Sequence, residues 1–488
     1  MSETTTPEPL REDLPPETIE PEEEQETVLD ERGSLTSDFV RMIRERIDEG
    51  DAEEVRRIVA ELKPADIADL IEQLDEEDAR KFVAIEGTEL PFEVLPELED
   101  GSRDIVVDAL STEQLAEAVS ELDTDEAAFV LEDLDEKERA EVLAEMPIAD
   151  RLALKAALDY DEDTAGRIMQ RDVFAAPGYW NVGQILDRLR SVERLPDRFY
   201  DVYVVDPSYR IIGSVPLSKF IKAKRDTVIQ DLCTPDPIVI DANMDQEEVA
   251  YLFEKYNLIS APVVDESKRL VGMITVDDIV EVVREEADED MLALAGIAED
   301  NSINAPVIKV ARSRFVWLLV NLGTAILASF VIGLFDATIE QMVALAILMP
   351  IVASMGGNAG TQSMTVAVRN LSTRTLTTAT ALRAVYKETA VSIINGVAFA
   401  ILMGAATAVW YGLLAGQPRS EAVALGGVLA ASMIINMLCA GLAGILIPLG
   451  LSRIGQDPAV SSAVFVTTVT DVVGFFVFLG LAAVFLVG

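Results

Sequence analysis

The chain of 488 residues contains no histidine and only two cysteines. Without imidazole, a His-ligated zinc or haem centre and a His-dependent catalytic triad are excluded. Cys233 and Cys439 fall in different halves of the chain and form neither a disulfide framework nor a thiolate metal site. There is also no phosphate-cradling P-loop and no paired nucleophile and base, so enzymatic activity is not expected. Residues 1–30 lack an apolar stretch, which excludes a signal peptide there; rich in Pro and Glu, residues 1–34 read as a disordered acidic tail. Positive charge is scarce as well, with 39 Lys+Arg against 85 Asp+Glu and a net charge of -46. A phosphate backbone needs basic side chains to neutralise it, so nucleic acid is excluded as a partner. The acidic excess fits divalent-cation binding or a halophile-like adaptation to a high-salt cytoplasm.

What is present divides sharply. Residues 1–312 hold 79 acidic and 32 basic residues, whereas residues 313–488 hold 6 and 7. Five apolar runs in the second part, 315–335, 343–368, 390–414, 422–449 and 460–487, are each about as long as a bilayer-spanning helix requires. Their Gly, Ser and Thr content suits close helix approach. Arg312, Arg314, Arg369, Arg374, Arg383, Lys387 and Arg453 flank one side of these spans, against Arg419 alone on the other. By the positive-inside rule the N-terminal half is cytoplasmic and the C-terminus extracellular, in a multi-pass cell-membrane protein.

Within the soluble half, residues 35–168 show apolar spacing of three and four, with Asp75 and Asp123 placed as N-caps, and predict short helices stacked in series. An internal repeat follows. Tyr203-Val204-Val205-Asp206, then Ile212-Gly213 and Leu217, recurs 59 residues later as Pro262-Val263-Val264-Asp265, Val271-Gly272 and Val276. Each copy reads as strand, turn, strand, helix, giving a pseudosymmetric pair at residues 169–233 and 234–280. With Gly272-Met273-Ile274-Thr275-Val276-Asp277-Asp278-Ile279, the pair resembles tandem CBS domains. That resemblance implies Thr275 and Asp278 as nucleotide contacts, with ATP as a possible regulator; the first copy has Pro216 and Lys219 at those places and lacks both functional groups.

Residues 281–290 are six-tenths acidic, and Glu281, Glu285 and Glu289 fall on one helical face with Asp278 a turn before. Like charges at this spacing destabilise a helix unless something neutralises them. Asp277, Asp278, Glu281, Glu285, Glu286 and Glu289 are therefore candidate ligands for hydrated divalent cations, with a solvated face as the alternative. Two features resist a lipid-facing explanation. Gly356-Gly357-Asn358-Ala359-Gly360-Thr361-Gln362 in the second run suits a water-filled path lined by backbone and amide oxygens, with close helix packing as the rival account. Asp471, within Thr467-Thr468-Val469-Thr470-Asp471, is an isolated carboxylate deep in the fifth run, where a lone charge costs about 3 kcal/mol; a bound or passing cation is the simplest counter-charge, with a protonated, buried carboxyl as the rival account.

Taken in order, these elements resemble the MgtE family of magnesium channels and transporters across residues 35–488. The resemblance implies a multidomain membrane protein: an all-α helical-repeat domain, an α/β tandem CBS pair, an acidic connecting or plug helix at 281–312, and a five-helix transmembrane domain at 313–488. It further implies a homodimer in the lipid bilayer with the ion path at the subunit interface. Asp471 would be the selectivity carboxylate there, with Asn358, Gly356, Gly357, Gly360, Thr467, Thr468 and Thr470 as pore lining. Gated magnesium uptake is the expected function. The alternatives are a secondary transporter of divalent cations such as cobalt, manganese and magnesium, and a membrane-anchored nucleotide-sensing CBS protein.

Overall fold

The computed structural model describes residues 28–30, 32–191, 199–297, 307–376 and 378–487. Most of the acidic tail, and residues 298–306 between the connecting helix and the first span, lie outside the described residues. The chain forms two compact units, one running to Leu122 and including Phe129–Pro147, the other comprising Asp123–Ala128 and Ile148–Gly488.

The described residues of the first unit form, beyond a bridge between Leu29 and Leu35, the short helices that the apolar spacing predicts. Ser37–Glu49, Ala52–Val59, Pro64–Gln73 and Glu76–Glu86 each bury one stripe, including Phe39, Ile43, Val55, Leu70 and Phe82. Capping separates them. Asp75 accepts from the Asp78 backbone N–H at 3.0 Å, and Gly50 closes the first helix in the left-handed conformation at φ 73°. One buried cation ties two later helices together: Arg103, 1% exposed, donates to Asp133 at 2.7 Å, to Asp100 at 2.5 Å and to the Leu98 carbonyl at 2.8 Å. Its guanidinium also lies 4.2 Å from the centre of the Phe129 ring.

In the second unit the repeat becomes two small sheets. The first comprises β1 (Ala175–Pro177), β2 (Asp201–Val205), β3 (Ile211–Pro216) and β4 (Thr234–Pro235); the second comprises β5 (Ile240–Asp241), β6 (Ser260–Val264) and β7 (Leu270–Thr275). Asp201 pairs with Pro216 in the first sheet and Ser260 with Thr275 in the second, reproducing the repeat spacing, and each hairpin has a register shift at the equivalent place. Equivalent residues meet where the copies join: Arg210 bridges Arg269, and Ser260 donates to Asp201 at 3.0 Å. The boundaries drawn along the sequence are crossed, because Thr234 pairs with Ser214 of the first sheet while Gln170 pairs with Met273 of the second.

The connecting helix, Val276–Leu294, begins directly after β7. Ile279 and Val282 bury in the core of the second copy, while Ala293 packs with Met364, Val368 and Val466 of the membrane part. Among the described residues five helices are long and apolar enough to cross a membrane, spans one to five: Val310–Gly333, Ala344–Ser372, Ala379–Leu414, Arg419–Arg453 and Pro458–Val487. Span three starts eleven residues before the apolar run suggests, because helix geometry continues through Arg383, Lys387 and Glu388, whose polarity hides the helical turns from a hydropathy reading.

Removing the fork of Arg103 leaves Asp133 and the Leu98 carbonyl without their donor. Arg103→Leu is expected to cost roughly 2–3 kcal/mol, the low side for a broken buried pair because both carboxylates reach solvent. Hydrogen exchange over Asp100–Ala109 in the full chain measures this; unchanged protection would refute the assignment of Arg103 as the tie.

Candidate membrane site and acidic clusters

Asp471 sits half-buried in span five and forms no hydrogen bond or ion pair with any described residue. The hydroxyls beside it are oriented by their own helix: Thr467 donates to Ala463 at 2.9 Å, Thr468 to Val464 at 2.6 Å and Thr470 to Thr467 at 2.9 Å. Each hydroxyl thus has its proton directed to the backbone and retains lone pairs as acceptors. Thr470 is buried, Thr468 half-buried and Thr467 exposed, so the three differ in access.

The glycines of span two divide in the same way. A Cβ on Gly356 would meet the Asn436 amide nitrogen at 2.2 Å, and one on Gly360 would meet Val466 at 2.6 Å. Both are buried packing positions, so close approach of helices accounts for them. Gly357 is open by comparison, with only Thr470 at 4.0 Å from such a Cβ. Asn436 in span four, 1% exposed, donates to the Val352 carbonyl at 2.9 Å while its own oxygen has no partner among the described residues. A lone Asn in an apolar run was the available signal for it.

Asn358 points elsewhere, into a cavity of about 390 Å³ between spans two and three. Gln362, Ser363, Glu388, Ser392 and Asn395 share its wall, and no described residue of span five does. Glu388 was hidden from the sequence reading by the late start assigned to span three; Ser392 and Asn395, one and two turns on, are the helical signal that reveals it.

At the start of the connecting helix Thr275 and Asp278 form a capping box. The Thr275 backbone N–H donates to Asp278 at 2.9 Å, and its hydroxyl, 1% exposed with the residue, reaches Asp278 at 2.8 Å and Asp277 at 2.5 Å. The two groups singled out as nucleotide contacts are thus engaged in holding the helix start. Beside them lie acids that the periodicity did not single out. Burial, then the charges of Asp278, Glu126 and Asp123, push Asp125 well up, and its Oδ1 is buried without a partner among the described residues. Burial and Asp123 push Glu126 up to about 7, and burial, against the Thr275 bonds, pushes Asp278 up to about 6.

A second acidic group surrounds the middle of the helix. Gln246 donates to Glu286 at 3.0 Å and to Asp163 at 3.3 Å, and burial raises both carboxyls. Burial followed by the charge of Glu286 raises Glu247. Glu281 and Glu285 remain exposed and Glu289 half-buried on the helix's solvent side, with Asp277 exposed at its start. Near the membrane, Asp290 accepts from Ser372 at 2.9 Å; Arg374 pairs with Glu248 at 3.3 Å and lies 4.8 Å from the Tyr251 ring centre. The second copy is therefore fastened to the link between spans two and three, a contact that no local motif announces.

Carboxyls raised in the folded chain bind more protons than their unfolded counterparts, whose values lie near about 4. Between there and the values of about 6 and 7 at Asp278 and Glu126, stability falls as pH rises, and the penalty is complete above the upper value. In chelator, exchange protection of Val276–Leu294 is accordingly expected to decline from about pH 5 to about pH 8, and saturating magnesium to flatten that slope by stabilising the charged forms. An equal slope with and without magnesium would show that no cation binds these acids.

Comparison with known proteins supplies relatives. A family description reading "divalent cation transporter" (MgtE) matches residues 349–481, the MgtE intracellular N domain matches 62–163, and the CBS domain matches 229–285. The magnesium transporter MgtE of Bacillus subtilis is 30% identical over 438 residues, 90% of this chain and 95% of its own length. That of Thermus thermophilus is 32% identical, covering 69% of this chain and 73% of its own. Among solved structures, the cytosolic domain of the Mg2+ channel MgtE in complex with ATP is similar with a TM-score of 0.47 and 29% identity, covering 50% of this chain and 99% of that one.

Proposed function

We propose that this chain, which belongs to the MgtE family of divalent cation transporters, carries magnesium across the cell membrane past Asp471 and is closed by magnesium on its cytoplasmic side. One observation carries the reading: a carboxylate within an apolar helix has no internal counter-charge among the described residues. A passing cation supplies one. Magnesium fits because it dehydrates reluctantly and is held through its water shell by few carboxylates, with hydroxyl and carbonyl oxygens around it. Asp471 acts as the selectivity carboxylate, with Thr467, Thr468 and Gly357 beside it.

A homodimer fits the same reading. Thr361, Thr365 and Thr467 are exposed on the surface of spans two and five, and a second copy covers such a face better than lipid does. The path then lies between copies, with two Asp471 carboxylates facing one ion. Orientation is supported by Arg374, which pairs with Glu248 of the soluble part and so puts the basic ends of spans two and three on that side. The side is cytoplasmic, and the C-terminus is extracellular.

Closure uses the acidic clusters. Divalent cations at Asp125, Glu126, Asp277, Asp278 and Glu281, and at Asp163, Glu247 and Glu286, remove the repulsion around the connecting helix and order it. Its end, packed against spans two and five through Ala293, transmits that order to the path. Glu285 and Glu289 add charge along the same helix. ATP, if it regulates, competes with the capping box for Thr275 and Asp278.

The test is magnesium uptake into proteoliposomes at equal protein density. Asp471→Asn is expected to remove nearly all flux, because the amide keeps size but not charge, and to insert at least as well, since an uncharged group is cheaper in the bilayer. Asp471→Glu should be intermediate. Wild-type flux in the Asn variant would remove Asp471 from the ion path. For closure, the triple change of Glu281, Glu285 and Glu289 to Gln should weaken inhibition by internal magnesium; unaltered inhibition would return that row to a solvated face. Current in planar bilayers with magnesium as the sole permeant cation separates a channel from coupled exchange.

A further inference from the structure

Glu388 is the second carboxylate inside the membrane part that lacks a cationic partner. It is 9% exposed, nearly three turns into span three, and no Lys or Arg among the described residues pairs with it. Its Oε2 accepts from the Ser363 hydroxyl at 2.8 Å. Around it the cavity between spans two and three gathers Ser392 and the amides of Asn358, Gln362 and Asn395, none of which forms a side-chain hydrogen bond with a described residue. Span four makes room for this group: a Cβ on Gly441 would lie 1.8 Å from the Ser392 hydroxyl oxygen.

Unpaired amides and a lone carboxylate on a lipid-facing wall would each cost several kcal/mol. The group has the chemistry of a wet site instead. Six waters at about 30 Å³ each make a hydrated divalent cation about 180 Å³ in volume. The cavity of about 390 Å³ holds that shell with space to enter and leave. One carboxylate is too few to strip the ion, whereas a carboxylate and three amides can hydrogen-bond its waters.

We propose that this cavity is a second cation site, separate from Asp471, which holds a hydrated divalent cation through outer-shell contacts with Glu388 and the amides of Asn358, Gln362 and Asn395. The proposal takes from the transport reading only the choice of ion.

The probe is Mn2+ and the reporter a nitroxide on Leu402→Cys, an exposed position one turn beyond the cavity, with Cys233→Ser and Cys439→Ser removing other thiols. Full-length protein in lipid nanodiscs carries Asp471→Asn throughout, so that an ion at that residue does not contribute. Saturable broadening of the nitroxide spectrum, competed by Mg2+, is expected. Its midpoint should rise at least about tenfold in Glu388→Gln and stay within about threefold in Glu388→Asp. Asn395→Leu, at an exposed position that should not impair folding, is expected to raise it about fivefold and decides the matter if the Gln variant elutes abnormally. Broadening that is absent, or identical in these variants, would overturn the site. Broadening that responds to Glu388, combined with absence of magnesium uptake in liposomes by the protein with Asp471 intact, would instead overturn the transport reading and leave the site standing.

Discussion

Negative charge held where water is scarce, with no basic partner among the described residues, is the condition on which the rest of this structure depends. Asp471 in span five and Glu388 in span three have no basic partner among the described residues, and Asp125 is buried with an oxygen unpaired. Charges so placed are stabilised by a proton or by a cation from outside. Each of these groups needs one or the other, and the proposed function and the proposed second site assign a cation to the two within the membrane part.

The surrounding packing serves that condition. Glycines in spans two and four bring the helices close enough for Asn436 to reach Val352 and for Ser363 to reach Glu388, so that polar groups are positioned by backbone contact and not by lipid-facing side chains. Outside the membrane, the connecting helix starts on a capping box and ends against spans two and five, and acids crowd its length. Arg374 adds a second fastening, between the second copy of the repeat and the end of span two. In the proposed function, whatever neutralises the acids acts through these contacts on spans two and five.

Thr275 and Asp278 show how one motif can fit two roles. The spacing of a hydroxyl and a carboxylate three residues on suits a nucleotide's ribose and phosphate, and it suits a helix N-terminus equally well. In this chain the two groups bond each other. Gly356 and Gly360 carry a similar lesson, since a glycine-rich stretch in a membrane helix permits either a pore-lining backbone or close packing, and their neighbours are Asn436 and Val466.

The repeat spacing, the five apolar helices, the capped short helices and the isolation of Asp471 were all legible in the amino-acid sequence, because periodicity, span length and charge in an apolar run are local properties. The exchange of strands across the repeat boundary was not, since Gln170 and Met273 are adjacent only once both copies have folded. Nor was the company of Glu388: Asn358, Gln362 and Ser363 come from span two, and the charged first turns of span three conceal the helix from a hydropathy reading. The elevation of Asp125 and Glu126 depends on burial and on Asp278, which lies more than one hundred and fifty residues away in the chain. Local composition thus determined which segments would be helices, strands and spans; tertiary structure alone decided which carboxylates share a site, because charge repulsion and desolvation depend on distance in space.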